Sequence, residues 1–244
     1  MTPLRDTVGD AGSGRVALVT GAGGGLGGAV VAELEAADWT VVASAHRGGP
    51  WACDVADRQD VDRLVERVGT ELGRLDLVVS NAAAMTMGAV DTQPAEDWWR
   101  IVDVNLSGAF YLVRAAAPLV RAAHGSVILV SSEWGVTGWP NATAYAASKA
   151  GLLGLTRALA RELAPEVRVN AIAPGVIDTP QLNVDAAWEG VGLDEMRRRY
   201  AEAAPLRRIA SPEEIAWTVA FLASPAAAYY TGQVLQPNGG TTTA

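Results

Sequence analysis

The chain has 244 residues, a formal net charge of −8 and a sequence pI near 4.8, and half of its residues are hydrophobic. That length suits one large α/β domain with an ample core. The acidic balance, with no basic stretch long enough to follow a phosphate backbone, argues against nucleic acid as a partner. Arg197-Arg198-Arg199 is the densest basic cluster and reads as a solvated helix face.

A single cysteine, Cys53, excludes an intrachain disulfide and suits a reducing compartment. Residues 1–14 are polar and glycine-containing, so they read as a flexible tail before a domain over 15–244 rather than a signal peptide. No apolar run reaches ~18 residues without a charge, so no membrane span is expected and the cytoplasm is the expected location.

Short β-branched runs alternate with longer helical stretches. A strand over 16–19 leads to a helix over about 25–37, followed by strands over 40–45 and 51–53. A helix over 59–72 precedes a strand over 75–79, and a long helix, open to a break, covers about 95–122. Next come a strand over 126–130, a helix carrying Tyr145 and extending to about 163, and a strand over 167–172. A helix over 212–223 and a strand over 233–235 close the pattern. The strands are continuous apolar runs, which predicts a seven-stranded parallel sheet, doubly wound, with helices on both faces. No internal repeat, low-complexity segment or domain linker interrupts it.

Lys149 is the only lysine; the other eighteen of nineteen basic residues are arginine. It follows Tyr145 by four residues, one helical turn, so ammonium and phenol share a face. A compact ammonium with three rotatable donors can reach a sugar hydroxyl and a neighbouring oxygen together, which a planar guanidinium does less readily. A cation near a phenol favours phenolate and lowers its pKa from ~10, giving a proton donor and acceptor. Between the first strand and its helix lies Thr20-Gly21-Ala22-Gly23-Gly24-Gly25-Leu26-Gly27. Its glycines let backbone N–H groups approach a pyrophosphate at the helix N-terminus. The spacing Gly-x-x-x-Gly-x-Gly differs from the Gly-x-Gly-x-x-Gly dinucleotide fingerprint.

Together these segments resemble the single-domain short-chain dehydrogenases/reductases, a Rossmann-fold family, over about 15–240. Asp54-Val55 resembles the pair that holds adenine. Ser80-Asn81-Ala82-Ala83 resembles Asn-Asn-Ala-Gly, departing at its first and last positions. Asn105 matches the family's active-site asparagine, and Ser132, thirteen residues before Tyr145, its catalytic serine. Pro174-Gly175-Val176-Ile177-Asp178-Thr179 matches the loop that holds nicotinamide. The resemblance implies hydride transfer between a nicotinamide cofactor and a carbonyl carbon. Tyr145 would exchange the proton on the substrate oxygen, and Ser132 would orient that oxygen. Lys149 would bind the ribose, and Asn105 would position a water between Lys149 and solvent. Gly21, Gly24, Gly25, Leu26, Gly27, Asn81 and Ala82 are implied cofactor neighbours, with Pro174, Gly175, the Ile177 backbone and Thr179 at the nicotinamide.

Cofactor choice is read at the end of the second strand. An acidic residue there would bond both ribose hydroxyls of NAD, while arginine accommodates the NADP phosphate. Ala43-Ser44-Ala45-His46-Arg47-Gly48 holds no carboxylate, so Arg47, with Ser44 and His46, points to NADP(H), NAD(H) remaining open. The same stretch makes bacterial 3-oxoacyl-carrier-protein reductases the nearest subgroup in resemblance. The expected activity is an NADPH-dependent ketoreductase on a small-molecule carbonyl or alcohol. An NAD-dependent dehydrogenase of a small or ring-bearing alcohol is the alternative. A cofactor-free lyase of the halohydrin dehalogenase kind is disfavoured by the intact glycine loop and Lys149. A non-catalytic nucleotide-binding regulator is disfavoured by the complete set of Asn105, Ser132, Tyr145 and Lys149.

Residues from about 180 to 204 correspond to the family's variable lid and include Gln181, Asn183, Trp188 and Met196. Trp134 and Trp139 flank the loop after Ser132 and would wall a pocket for a ring-bearing or bulky apolar group, or pack the lid. Glu133 would meet a polar or cationic substrate group, or stand in solvent. His46 and His124 lack partners at metal-ligand spacing, so no catalytic metal is expected. Leu152, Leu155 and Leu159 are expected on the outer side of the Tyr145 helix. The resemblance implies a homotetramer, with a dimer as the alternative.

Overall fold

The computed structural model describes residues 14–242, so residues 1–13 of the predicted tail lie outside the described residues. The sheet has six strands, all parallel: β1 (Val16–Thr20), β2 (Thr40–Ser44), β3 (Leu77–Ser80), β4 (Ser126–Val130), β5 (Arg168–Ile172) and β6 (Val234–Leu235). Their order across the sheet is β2-β1-β3-β4-β5-β6. Because the order reverses beside β1, the carboxyl ends of β1 and β3 open a crevice between connections that leave in opposite directions.

Alternation along each strand feeds two separate cores. Val16 and Leu18 face one side with Val78, Leu129 and Val169, beneath α2 (Arg58–Leu72), α4 (Gly108–Ala122) and α6 (Thr143–Glu162). Ala17 and Val19 face the other with Val79, Ile128 and Ile172, beneath α1 (Gly25–Ala36) and α9 (Pro212–Ala223). Burial on both faces explains the unbroken apolar runs.

Two expectations are corrected. Residues 51–53 form no strand; the only ladder-like bond is from the Cys53 N–H to the Ala45 carbonyl, 2.9 Å. The connection from β2 is the cause. A parallel partner needs a crossover of about a dozen residues or more, whereas this one turns back through Gly48 and Gly49, both at positive φ. The long helix does take the break left open for it: α3 (Ala95–Val102) passes through a single π-helical turn, Asp103–Ser107, into α4. Finally, Leu152 and Leu159 are buried in the core with Leu155 packed against it, so this stripe of α6 faces the sheet, not the outside.

Asp76, just before β3, ties the sheet's amino end. Its Oδ2 accepts from the Val16 N–H at 2.8 Å and from Arg74 Nε at 2.9 Å, and its Oδ1 accepts from Arg74 Nη2 at 2.6 Å. Asp76→Ala strands a buried N–H and is expected to lower unfolding stability by about 2 kcal/mol. Urea unfolding of the two proteins measures it, and an unchanged midpoint would show the contact to be dispensable.

Candidate active site

The glycine loop is shaped by what cannot fit beside it. Asn81, just past β3, donates through Nδ2 to the carbonyls of Thr20 and Gly21, both at 3.1 Å. The backbone N–H groups of Asn81 and Ala82 donate to Thr20 Oγ1, each at 3.2 Å. These bonds draw the ends of β1 and β3 together. A Cβ on Gly27 would stand 2.1 Å from the Gly21 carbonyl oxygen, so only glycine permits this approach. Gly24 caps α1 without any side-chain hydrogen bond, leaving first-turn N–H groups available to an anion. Thr179 reaches the loop from the other side, within 3.4 Å of where a Gly25 Cβ would lie.

The other end of the site follows β4 and β5. Beyond their ladder the strands remain paired, through Ser131 N–H to the Ile172 carbonyl (2.7 Å) and Glu133 N–H to the Pro174 carbonyl (2.9 Å). Ser132 is thereby set beside the Pro174–Thr179 segment. Facing it, α6 presents Tyr145 and, one turn on, Lys149. The Tyr145 phenol and the Ser132 hydroxyl line the same cavity. Lys149 is 2% exposed and donates from Nζ to the Val130 carbonyl at 2.8 Å. Its own carbonyl accepts from Ser131 Oγ at 2.7 Å, which fixes the helix against β4.

Burial decides the protonation here. It pushes the Tyr145 phenol up to about 12; the nearby Ser132 hydroxyl opposes the rise, and Asp185 and Glu133 add to it. Burial also pulls the Lys149 ammonium down to about 8. The lowered phenol expected from the sequence is thus reversed. The ammonium lies 5.5 Å from the Tyr145 ring centre and is engaged with Val130, so desolvation outweighs its attraction.

Asn105 sits in the π-helical turn, 2% exposed. Its Oδ1 accepts from the Ala84 N–H at 2.7 Å, and its Nδ2 donates to the Ala84 carbonyl and to Ser148 Oγ, both at 3.0 Å. Ser148 Oγ in turn donates to the Tyr145 carbonyl at 2.8 Å. Asn105 therefore joins the loop after β3 to α6 at the level of Tyr145. Such π turns recur at functional sites.

One cavity of about 470 Å³ spans both ends. Gly21, Gly24, Gly25, Leu26, Gly27 and Asn81 line it, as do Ser132, Glu133, Trp134, Tyr145 and Lys149. The segment after β5 contributes Pro174, Gly175, Ile177, Thr179 and Gln181. Ala82, Val55, Asn105, Trp139 and Trp188 stand outside its lining. So do His46, Arg47 and Asp54, which follow the end of β2 instead; the Ala22 N–H to Ser44 carbonyl bond, 2.9 Å, holds that end against the glycine loop. His46 Nδ1 is 3.9 Å from Asp54 Oδ1, whereas exposed Arg47 has no carboxylate partner among the described residues.

Trp134 is buried, stacks on Trp139 (ring centres 4.8 Å apart, planes 5°) and meets Tyr145 edge-on at 5.9 Å. Trp188, on α7 (Leu182–Glu189), is exposed. Glu133 is 7% exposed, so it does not stand in solvent; its Oε2 accepts from Thr241 Oγ1. Asp185, on α7, also lines the cavity and was not singled out in the sequence. Its signal was an acid on the same helical face as apolar Leu182 and Ala186. Among the described residues no cluster of His, Cys, Asp or Glu could hold a metal ion, and no helix is long and apolar enough to cross a membrane.

A glycine-rich loop at a helix N-terminus, sharing one cleft with a Ser–Tyr–Lys cluster, defines a dinucleotide-dependent oxidoreductase. The family model described as enoyl-(acyl carrier protein) reductase matches residues 19–242. The chain is similar to the 3-oxoacyl-[acyl-carrier-protein] reductase of Thermotoga maritima, with 36% identity over 93% of this chain and 97% of the relative. Among solved structures it is similar to ligand-free aldohexose dehydrogenase of Thermoplasma acidophilum, with TM-score 0.90, 31% identity and 93% of each chain covered. A Brucella melitensis short-chain dehydrogenase/reductase of the glucose/ribitol dehydrogenase kind gives TM-score 0.87 at 30% identity, over 95% of this chain and 98% of the other. The chain belongs to the short-chain dehydrogenase/reductase family and is an NAD(P)-dependent oxidoreductase of small molecules.

Proposed function

We propose that this protein is a ketoreductase that interconverts a ketone and a secondary alcohol with NADPH. The observation that carries the reading is that Ser132 and Tyr145, with Lys149 buried one turn on, line the same cavity as the glycine loop. Two hydroxyls converging on one point suit an oxygen atom, which favours a carbonyl over a carbon–carbon double bond. The similarity to a 3-oxoacyl-[acyl-carrier-protein] reductase supports the same reaction class.

A nicotinamide dinucleotide fits the residues present. Gly21, Gly24, Gly25, Leu26 and Gly27 would hold the pyrophosphate, because a Cβ at Gly21 or Gly27 would collide with backbone and the α1 N-terminus is free. Asp54 and Val55 would meet the adenine, Asn81 and Ala82 would back the adjoining wall, and Pro174, Gly175, Ile177 and Thr179 would receive the nicotinamide. When bound, the nicotinamide supplies or takes up the hydride. Ser132 orients the substrate oxygen, and Tyr145 gives it a proton or removes one. Lys149 uses one of its three donors on Val130, leaving two for ribose hydroxyls. Asn105 holds a water on the proton route from Lys149 to solvent. NADP is favoured by Arg47, free of a carboxylate partner, and by the lack of an acid directly after β2.

Oxidation of NADPH and NADH at 340 nm, with 3-oxoacyl thioesters and simple ketones as substrates, tests the reading. NADPH is expected to give the higher kcat/KM by at least about tenfold, since a charged phosphate contact contributes more than ~1.4 kcal/mol. A preference for NADH would overturn the cofactor assignment, and no carbonyl reduction with either would overturn the function.

The raised Tyr145 pKa sets a pH expectation. A phenol titrating near 12 is protonated at neutral pH, the form that carbonyl reduction consumes. Reduction should therefore hold its rate at neutral pH, while alcohol oxidation, which needs phenolate, should climb as pH rises. Rate profiles in both directions check this; oxidation fastest below neutral pH would contradict it.

We also propose a cytoplasmic homotetramer, with a dimer as the alternative. Exposed Phe110 on α4 and exposed Ala147, Ala150 and Gly154 on α6 offer an apolar face for a second copy. Sedimentation showing only monomer at micromolar concentration would refute assembly.

A further inference from the structure

Asp185 is turned into the protein with Leu182 and Ala186 and is 6% exposed. A carboxylate at that depth requires hydrogen-bond partners or a neutralising cation. Tyr200 Oη donates to its Oδ2 at 2.8 Å. Its Oδ1 is buried and has no hydrogen-bond partner among the described residues, nor does any Lys or Arg pair with the group. Asp185 nevertheless lines the cavity that holds Tyr145.

Its place relative to the reacting end is fixed by a row of aromatic rings. Tyr145 meets Trp134 at 5.9 Å, Trp134 stacks on Trp139 at 4.8 Å, and Trp139 meets Tyr200 at 6.2 Å. Tyr200 then holds Asp185. The other acid of the cavity, Glu133, is already engaged by Thr241, and among the described residues Lys149 is the only basic side chain lining the cavity. A plain hydrocarbon substrate would leave the Asp185 oxygen unpaired; a substrate with a donor would satisfy it.

We infer that Asp185 is a specificity-determining residue whose unpaired oxygen accepts a hydrogen bond from a hydroxyl or protonated amine on a substrate carbon beyond the reacting one. The preferred substrates are then hydroxy- or amino-ketones and the matching diols or amino alcohols. Burial raises the Asp185 carboxyl pKa, partly countered by Tyr200, which marks an anion still short of stabilisation. The inference rests on the carbonyl–alcohol reading above.

The experiment compares kcat/KM for ketones of equal length that carry a hydroxyl, an amine or only hydrogen at the same position. The wild-type protein is expected to favour a donor-bearing ketone by at least about tenfold, because a site built around a polar contact rejects the analogue lacking it. Asp185→Asn should collapse the preference for the amine, which needs the charge. It should reduce the preference for the hydroxyl less, since the amide oxygen still accepts. Which arm leads in the wild type tells hydroxyl from amine. A readout independent of turnover is quenching of the intrinsic tryptophan fluorescence by diols, amino alcohols and their deoxy analogues in cofactor-saturated protein. Plain and donor-bearing ketones used equally well, or deoxy analogues bound as tightly, would overturn the inference. If no carbonyl is reduced at all, the ketoreductase reading fails, and the fluorescence titration alone decides the role of Asp185.

Discussion

Tyr145→Phe is expected to lower the turnover of carbonyl reduction by about 10²–10⁴-fold, the usual cost of losing positioned acid–base catalysis. The substitution removes one oxygen and leaves the ring, so the edge contact with Trp134 at 5.9 Å survives. Ser132 keeps the Trp134 N–H, which donates to its Oγ at 3.2 Å. Cofactor affinity should change little, because no part of the glycine loop depends on the phenol. Stopped-flow reduction together with fluorescence titration of NADPH separates the two effects. Turnover within a factor of about ten of wild type would show that another group carries the proton.

Lys149→Arg is expected to cost about 10²-fold in turnover although the charge is kept, because a misplacement of about 1 Å at a reacting centre is enough for such a loss. The backbone that would carry the longer side chain is fixed in place. Lys149 is buried, its carbonyl is held by Ser131, and a Cβ on Gly135 would come within 2.7 Å of the Lys149 backbone. That packing keeps α6 from backing away. A guanidinium carries five donors in a rigid fork, and the Val130 carbonyl serves only one. Weakened ribose binding should appear as a raised KM for NADPH beside the lower kcat. Near-normal values for both would show that a positive charge of any shape suffices.

How far the sequence revealed this molecule depended on whether the deciding force was local. Parallel strands buried on both faces are nearly continuous apolar runs, so β1 and β4 could be located from their composition alone. The glycine loop was legible for a similar reason, since close backbone approach leaves no alternative residue at Gly27. Residues 51–53 failed because their β-propensity was real while the connection before them was too short to bring them alongside β2. Leu152 and Leu159 were placed outward when their spacing marked the stripe that packs on the sheet. The Tyr145 pKa and the burial of Glu133 and Asp185 depend on how elements far apart in sequence enclose one cavity. No spacing rule encodes that enclosure.

The short return from β2 separates two decisions that are often entangled in enzymes. The segment proposed to choose between cofactors, His46 and Arg47, lies on a turn tied back by the Cys53–Ala45 backbone bond and by Arg67, which donates to the Pro50 carbonyl. The groups proposed for chemistry hang from β4, β5 and α6, on the opposite flank of the central strand. Only the glycine loop borders both. Heritable change can therefore reach the turn without crossing either core, and cofactor currency can drift while the reaction itself is conserved.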